Sequence, residues 1–222
     1  MAVVHHPAAD TVIALIDALP DGGVIATDCD GTVWNGDIGD DVVRAAANDP
    51  KHFGGPPVDV NAYEARLEVD YEGACLSACG MLRHVSAAEA KIALKAEVPA
   101  SFAPRRYFTD ALRDAMDRGV QVWFVSASPL LAVEVGAELI GFEPTGKIGI
   151  ELTADGYRSP WPIDAGKPAA WRARDLPPVD LAFGDSQWDL PLLQSASTGV
   201  MLIKAHEDTD VNTTAAAIRA RR

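Results

Sequence analysis

Short continuous apolar runs alternate along this chain with stretches whose apolar residues recur every three or four positions. The runs Val24–Thr27, Val120–Val125 (VQVWFV), Leu181–Phe183 and Val200–Ile203 read as buried strands. Thr11–Leu19, Arg105–Arg118 and Pro129–Leu139 carry the helical period; Pro20 and the Asp21-Gly22-Gly23 turn stop the first, and Gly119 stops the second. Ile148–Thr153 and Tyr157-Arg158, joined by Ala154-Asp155-Gly156, read as a hairpin with Asp-Gly at its turn. Strands that alternate with helices predict the α/β class: a Rossmann-like three-layer α/β/α core around a parallel sheet.

The stretch between the first two strands breaks this rhythm. Residues 34 to 104 look mostly helical, most clearly over Asn61–Ser77 and Ala87–Lys95, while 48 to 61 (NDPKHFGGPPVDVN) read as a loop. A crossover between parallel strands needs only about a dozen residues. The excess predicts an inserted, mostly helical cap at 34–104 on a core made of 1–33 and 105–222.

The strand ends carry the candidate chemistry. In open parallel sheets, ligands bind beyond the carboxyl ends of the strands. Here the first strand ends at Asp28 and Asp30, the second at Ser126, and the third at Gly184-Asp185, with Asp189 one helical turn further on. Each of these residue types favours a helix N-cap, but three strands delivering them to one edge make a constellation. Four converging carboxylates repel unless a cation sits among them, and an all-oxygen ligand set suits a hard ion, most simply Mg²⁺. Lys167, in Ala165-Gly166-Lys167-Pro168, is placed to add positive charge to the same edge. With phosphate neutralised and held in line, one aspartate can attack phosphorus, while the second protonates the leaving oxygen and then activates water. Period-two alternation turns Cys29 towards the packed face between them. Gly31 permits a tight turn around the phosphate, and Thr32 can hold that turn by a hydrogen bond.

These residues resemble the haloacid dehalogenase superfamily of phosphohydrolases. Asp28-Cys29-Asp30-Gly31-Thr32 is similar to its first motif, Val122-Trp123-Phe124-Val125-Ser126 to the second, Lys167 to the third, and Gly184-Asp185-Ser186-Gln187-Trp188-Asp189 to the fourth. The resemblance covers residues 24 to 33 and roughly 105 to 205. It implies that Asp28 is phosphorylated, Asp30 is the acid/base, and Ser126 binds the phosphoryl group. It also implies a metal among Asp28, Asp30 (through its backbone carbonyl), Asp185 and Asp189. Phosphate would then be bound by Gly31, Thr32, Ser126, Ala127 and Lys167. The insertion is similar to the cap of the phosphoserine-phosphatase-like branch. Those enzymes carry Glu where Asp37 stands, an Asn where Trp188 stands, and a cap arginine that reads the substrate carboxylate, for which Arg66 and Arg83 are the candidates here.

Composition narrows the partners. A net charge of −13 over 222 residues argues against nonspecific binding to nucleic acid or anionic membranes, both of which need a Lys/Arg surplus. Residues 34–104 carry eleven acidic and six basic residues, which reads as a solvated acidic face, with a substrate bearing an amine or choline-like cation as the alternative. Three cysteines without metal spacing, and an N-terminus without a basic leader and apolar core, predict a cytoplasmic protein. Gly141–Ile148 nearly spells a P-loop, but Ile148 replaces the Ser/Thr that holds Mg²⁺, and the helix and strand around it come in the wrong order. The expected activity is Mg²⁺-dependent hydrolysis of a small phosphorylated metabolite. The alternatives are a phospho-acceptor signalling domain, or a mutase or C–X hydrolase of the same superfamily. Oligomeric state is not legible.

Overall fold

A computed structural model describes residues 3–53 and 58–221. The chain opens with β1 (Val3–His5), α1 (Ala9–Asp17), β2 (Val24–Thr27) and β3 (Trp34–Asn35). It continues through α2 (Ile38–Asn48), α3 (Pro50–Phe53), α4 (Val60–Val69), α5 (Tyr71–Met81) and α6 (Ala87–Glu97) to β4 (Ala103–Pro104). Next come α7 (Arg106–Asp117), β5 (Gln121–Pro129), α8 (Leu130–Leu139), β6 (Gly146–Ile150), β7 (Leu152–Thr153) and β8 (Gly156–Tyr157). It closes with α9 (Gly166–Arg172), β9 (Leu181–Gly184), α10 (Leu190–Ser195), β10 (Thr198–Met201) and α11 (Ala215–Arg219).

The expected α/β core is present. Six parallel strands lie in the order β1-β10-β9-β2-β5-β6. Alternation along β2 sends Ile25 to a core shared with α1, α7 and α8, and sends Val24 and Ala26 to a second core shared with α9 and α10. From β2 the chain moves out to β5 and β6, then returns to β9 on the other side and continues to β10. The gap between β2 and β9 is therefore a topological switch point, where a crevice opens at the carboxyl edge.

Helices α2–α6 lie between β3 and β4, which pair antiparallel, Trp34 with Pro104 and Asn35 with Ala103. Trp34 is fully buried where this neck meets the sheet, against Phe102 and Phe124. Lys91 and Lys95 of α6 reach Glu138 of α8 at 2.7 and 2.9 Å. Tyr157 of β8 donates to the Leu76 carbonyl of α5 at 2.8 Å.

Four expectations differ in detail. Asn61–Ser77 is two helices rather than one, because Asp70 ends α4 and its carboxylate caps α5 by accepting from Gly73 N at 3.0 Å. Ile148–Ile150 belongs to the main sheet, and the hairpin is confined to β7 and β8. The expected 48–61 loop contains the short helix α3, and its residues 54–57 lie outside the described residues. The last strand runs Thr198–Met201 rather than to Ile203, and β1 pairs along it as an edge strand that the apolar pattern did not indicate.

Candidate active site

β2 delivers Asp28 to the switch point, where its backbone N–H donates to the Phe183 carbonyl of β9 at 2.9 Å. The chain then folds back so that the Cys29 carbonyl accepts from Thr32 N and Val33 N, at 3.1 and 2.7 Å. Gly31 makes this turn at φ +72°, and a Cβ there would lie 2.4 Å from Asp185 Oδ2. Both the left-handed backbone and the close approach of a carboxylate require glycine.

Asp28 is gripped from two sides. Lys167 Nζ donates to Oδ1 at 2.6 Å, and the Thr32 hydroxyl lies 3.1 Å from Oδ2. The same hydroxyl is 3.1 Å from Asp185 Oδ1, so its one proton can be given to either carboxylate. Lys167 also donates to Asp189 Oδ1, and its ammonium is buried between the two acids. The other Asp189 oxygen accepts from Asp185 N, Ser186 N and Ser186 Oγ at 3.1, 3.0 and 2.8 Å. Both Asp189 oxygens therefore have protein donors, and its side chain holds the Asp185 loop and Lys167 in place. Oxygens of Asp28, Asp185 and Asp189 lie within 4.8 Å of one another, a set that could hold a metal ion.

Asp30 faces the other way. Its Oδ1 accepts from Trp34 Nε1 at 2.7 Å and Ile38 N at 2.8 Å, and its Oδ2 from the Ser128 hydroxyl at 2.7 Å. Ser128 belongs to the irregular end of β5, where the pairing with β6 shifts between Val125 and Pro129. In the same bulge Ser126 Oγ accepts from Ser128 N at 3.0 Å, and Ser126 and Ala127 reach the cavity wall. Gly39 lets the first turn of α2 approach closely, since a Cβ there would sit 2.7 Å from the Ser128 oxygen.

Charge dominates this site. Burial, followed by repulsion from Asp189, pushes the Asp28 carboxyl up to about 8. Burial and Asp189 push Asp185 up to about 6. Burial, then Asp37 and Asp28, hold Asp30 well above the usual carboxylate range. Burial alone would lower Lys167, but Asp189 and Asp28 outweigh it and push the ammonium upward.

These shifts fix a pH dependence. An acid whose folded pKa is raised above its unfolded value of about 3.9 binds more protons when folded, so it costs stability as pH rises. For Asp185 and Asp28 that loss starts above about pH 4 and is complete near pH 8. Lys167 stays charged throughout this window. The protein in chelator should therefore melt several degrees lower at pH 8 than at pH 5.5. Mg²⁺ at about 100 times its Kd should return about 2.7 kcal/mol at pH 8, roughly 5–10 °C in Tm. A melting temperature that rises with pH in chelator would contradict this charge balance.

A cavity of about 220 Å³ opens over these groups. Asp28, Asp30, Ser126, Lys167, Asp185 and Asp189 line its floor. Asp37, the N-cap of α2, lines it from the insertion. Arg66 and Arg83 are not brought to it. Arg66 lies along α4 against Asp70 at 2.8 Å, and Arg83 donates to the Thr153 and Gly156 carbonyls at 3.1 Å. Both arginines contact local neighbours, and neither lines the cavity.

The cavity residues that carried no assignment in the sequence include Asp40, Tyr63, Tyr71, Ser128 and Lys204. Tyr71 stacks on Trp188 with ring centroids 4.4 Å apart and planes 5° from parallel, joining the insertion to the Asp185–Asp189 loop. No sequence signal pairs two aromatic residues so far apart. Lys204 had a usable signal, since it follows β10 at the same carboxyl edge that supplies the other site residues.

The haloacid dehalogenase-like hydrolase family matches residues 25–194 of this chain. No curated protein gives a significant match. Among solved structures, a protein of unknown function from Bordetella pertussis Tohama I is similar at 18% identity and TM-score 0.61, over 78% of this chain and 86% of its own. A phosphoserine phosphohydrolase-like protein from Francisella tularensis is similar at 14% identity and TM-score 0.57, over 90% and 98% of the two chains. CbbY from Rhodobacter sphaeroides, in complex with phosphate, is similar at 18% identity and TM-score 0.55, over 83% and 86%. At these identities the likeness is one of fold.

Proposed function

Because the chain belongs to the haloacid dehalogenase-like hydrolases, we propose that it is a Mg²⁺-dependent phosphomonoesterase that cleaves a small phosphorylated metabolite through an aspartyl-phosphate on Asp28. The observation that carries this reading is the division of labour between two aspartates one residue apart. Asp28 is bound to Lys167 and Thr32, whereas Asp30 is bound to Ser128, Trp34 and Ile38 N. Helices α2–α6 would act as the cap over the cavity they share with the core.

In the first step an Asp28 oxygen bonds to phosphorus as the ester P–O bond breaks, and Asp30 gives its proton to the leaving oxygen, which departs as an alcohol. Asp30, now a carboxylate, then takes a proton from water as the water oxygen attacks phosphorus. The Asp28–phosphorus bond breaks, inorganic phosphate leaves, and both aspartates return to their starting state. Lys167 and Ser126, with Ala127 beside them on the cavity wall, would hold the phosphoryl oxygens in line, while Gly31 and the buried Thr32, which do not line the cavity, hold the turn that carries Asp28. Burial, then the neighbouring Asp37 and Asp28, raise the Asp30 carboxyl, which favours its protonated form. That proton favours phosphate esters over carbon–halogen substrates, because a departing halide needs none.

Oxygens of Asp28 and Asp185, with the Asp30 backbone carbonyl that the family resemblance adds, would suit Mg²⁺, and Asp185 Oδ2 has no protein donor among the described residues. When bound, Mg²⁺ supplies the positive charge that keeps Asp28 ionised and neutralises the substrate phosphate. Asp189, saturated by protein donors, steadies Lys167 and the Asp185 loop. Three free, buried cysteines support a reducing, cytoplasmic setting, and no helix among the described residues is long and apolar enough to cross a membrane.

The test is a panel of phosphate monoesters, p-nitrophenyl phosphate included, assayed with Mg²⁺ and then with chelator. Turnover should require the metal; no hydrolysis of any member in the presence of Mg²⁺ would end this reading.

A further inference from the structure

The cavity has two unlike walls. Its floor binds phosphate in the reading above, so the remaining space must hold the leaving group. At about 220 Å³ in total it lies below the roughly 300–1,000 Å³ of sites for drug-sized ligands, so that leaving group is small.

On the insertion side this space meets two carboxylates, Asp37 and Asp40, and the aromatic residues Tyr63 and Tyr71. Asp37 Oδ1 accepts from Asp40 N at 3.0 Å, and the Asp37 carboxylate has no ion pair among the described residues. Asp40 accepts from the Tyr63 hydroxyl at 3.0 Å, with Arg44 no nearer than 3.9 Å. Arg44 is committed instead to the buried Asp41 at 2.6 Å. Among the described residues, the cations lining the cavity are Lys167 and Lys204. Lys167 is spent on Asp28 and Asp189, and Lys204, on the core side, acts on Asp185 through its charge with no ion pair among the described residues. A leaving group whose own carboxylate lay against the insertion would face two anions, with no donor cation on that wall. A leaving group with a cationic nitrogen would find both acids and two tyrosine rings, whose faces attract ammonium groups.

We infer that the substrate is a small phosphate monoester whose alcohol carries a positively charged nitrogen, primary or quaternary, seated against Asp37, Asp40 and the rings of Tyr63 and Tyr71. This rests on the phosphatase reading and narrows it. It also gives the acidity of the insertion a job beyond keeping a solvated face.

The experiment compares kcat/KM for four esters of similar length: 2-aminoethyl, 2-(trimethylammonio)ethyl, n-propyl and 2-carboxyethyl phosphate, with p-nitrophenyl phosphate alongside. The cationic esters should exceed the propyl ester by roughly tenfold or more, and the carboxyethyl ester should fall below it by a similar factor. Preference for the primary amine would assign the recognition chiefly to the carboxylates, and preference for the quaternary ammonium chiefly to the rings. The variants Asp37→Asn and Asp40→Asn should each shrink the cationic-to-propyl ratio by roughly fivefold, and asparagine keeps the helix cap at position 37. Because the readout is a ratio between substrates, a general loss of folded enzyme does not move it. A flat or reversed series in the wild type, or a ratio unchanged in both variants, would overturn the inference while leaving the phosphatase reading intact. If no ester is hydrolysed, p-nitrophenyl phosphate included, the phosphatase reading itself has failed.

Discussion

Replacing Asp28 by Asn is expected to lower turnover of p-nitrophenyl phosphate by about 10⁴-fold or more, the scale on which removal of a hydrolase nucleophile is felt. The amide has the shape of the carboxylate, and its oxygen can still accept from Lys167, but it cannot form the phosphoryl ester. Lys167 also keeps its second partner, Asp189. The substitution removes a buried carboxyl that its surroundings push up to about 8, so the fold should be retained and the Tm at pH 8 in chelator should not fall. Initial rates and thermal melts on the same preparation check both halves. A folded Asp28→Asn protein with more than about a hundredth of wild-type activity would exclude Asp28 as the nucleophile.

The second large effect belongs to a residue outside the four motifs. Arg105 follows β4, where the chain returns from the insertion, and its side chain is completely buried. Its Nε donates to the Thr32 carbonyl at 2.9 Å, and its Nη2 to the carbonyls of Gly31 and Ile203 at 2.9 and 2.7 Å. Nη1 reaches Asp208, which also accepts from the Tyr107 hydroxyl at 2.8 Å. One guanidinium thus supports the catalytic turn from behind, at the two residues that follow Asp30. Arg105→Met would leave a nearly buried carboxylate and three carbonyls short of a donor, at a cost of about 3–5 kcal/mol. For a chain of this size the Tm should fall by roughly 10–15 °C. Arg105→Lys should recover only part of the loss, because an ammonium keeps the charge but not the planar fork. A Tm for Arg105→Met within a degree or two of wild type would refute this role.

Much of this was readable from residue order because the core obeys local rules. β2, β5 and β9 are continuous apolar runs, and the polar residues that end them share one edge for topological reasons. What the sequence hid was decided by contacts between distant residues. β1 is three partly exposed residues that become a strand only by pairing with β10. The break at Asp70 falls inside an apolar period that runs on through Val69 and Tyr71, and one carboxylate settles it by capping α5 and pairing with Arg66. That same pair lies along α4, away from the cavity lining. The Tyr71–Trp188 stack likewise depends on how the insertion lies against the core, and Ser128 reaches Asp30 through the irregular end of β5 beside β2.

Cys29, set between the two aspartates, points to a last consequence. Burial, followed by repulsion from Asp28 and Asp30, holds its thiol well above the ordinary range. Burial pushes Cys75 and Cys79 up to about 12. Peroxides and alkylating agents attack thiolates that they can reach; Cys29 and Cys79 are buried out of reach, and Cys75, at the cavity wall, is held towards its protonated form. In the proposed mechanism the reacting atom would be a carboxylate oxygen, with nothing to oxidise. Enzymes that use a cysteine for phosphoryl transfer can be switched off by oxidants; with Asp28 as the nucleophile, the element at the centre of the chemistry would be inert to them, and the sulfur beside it is shielded.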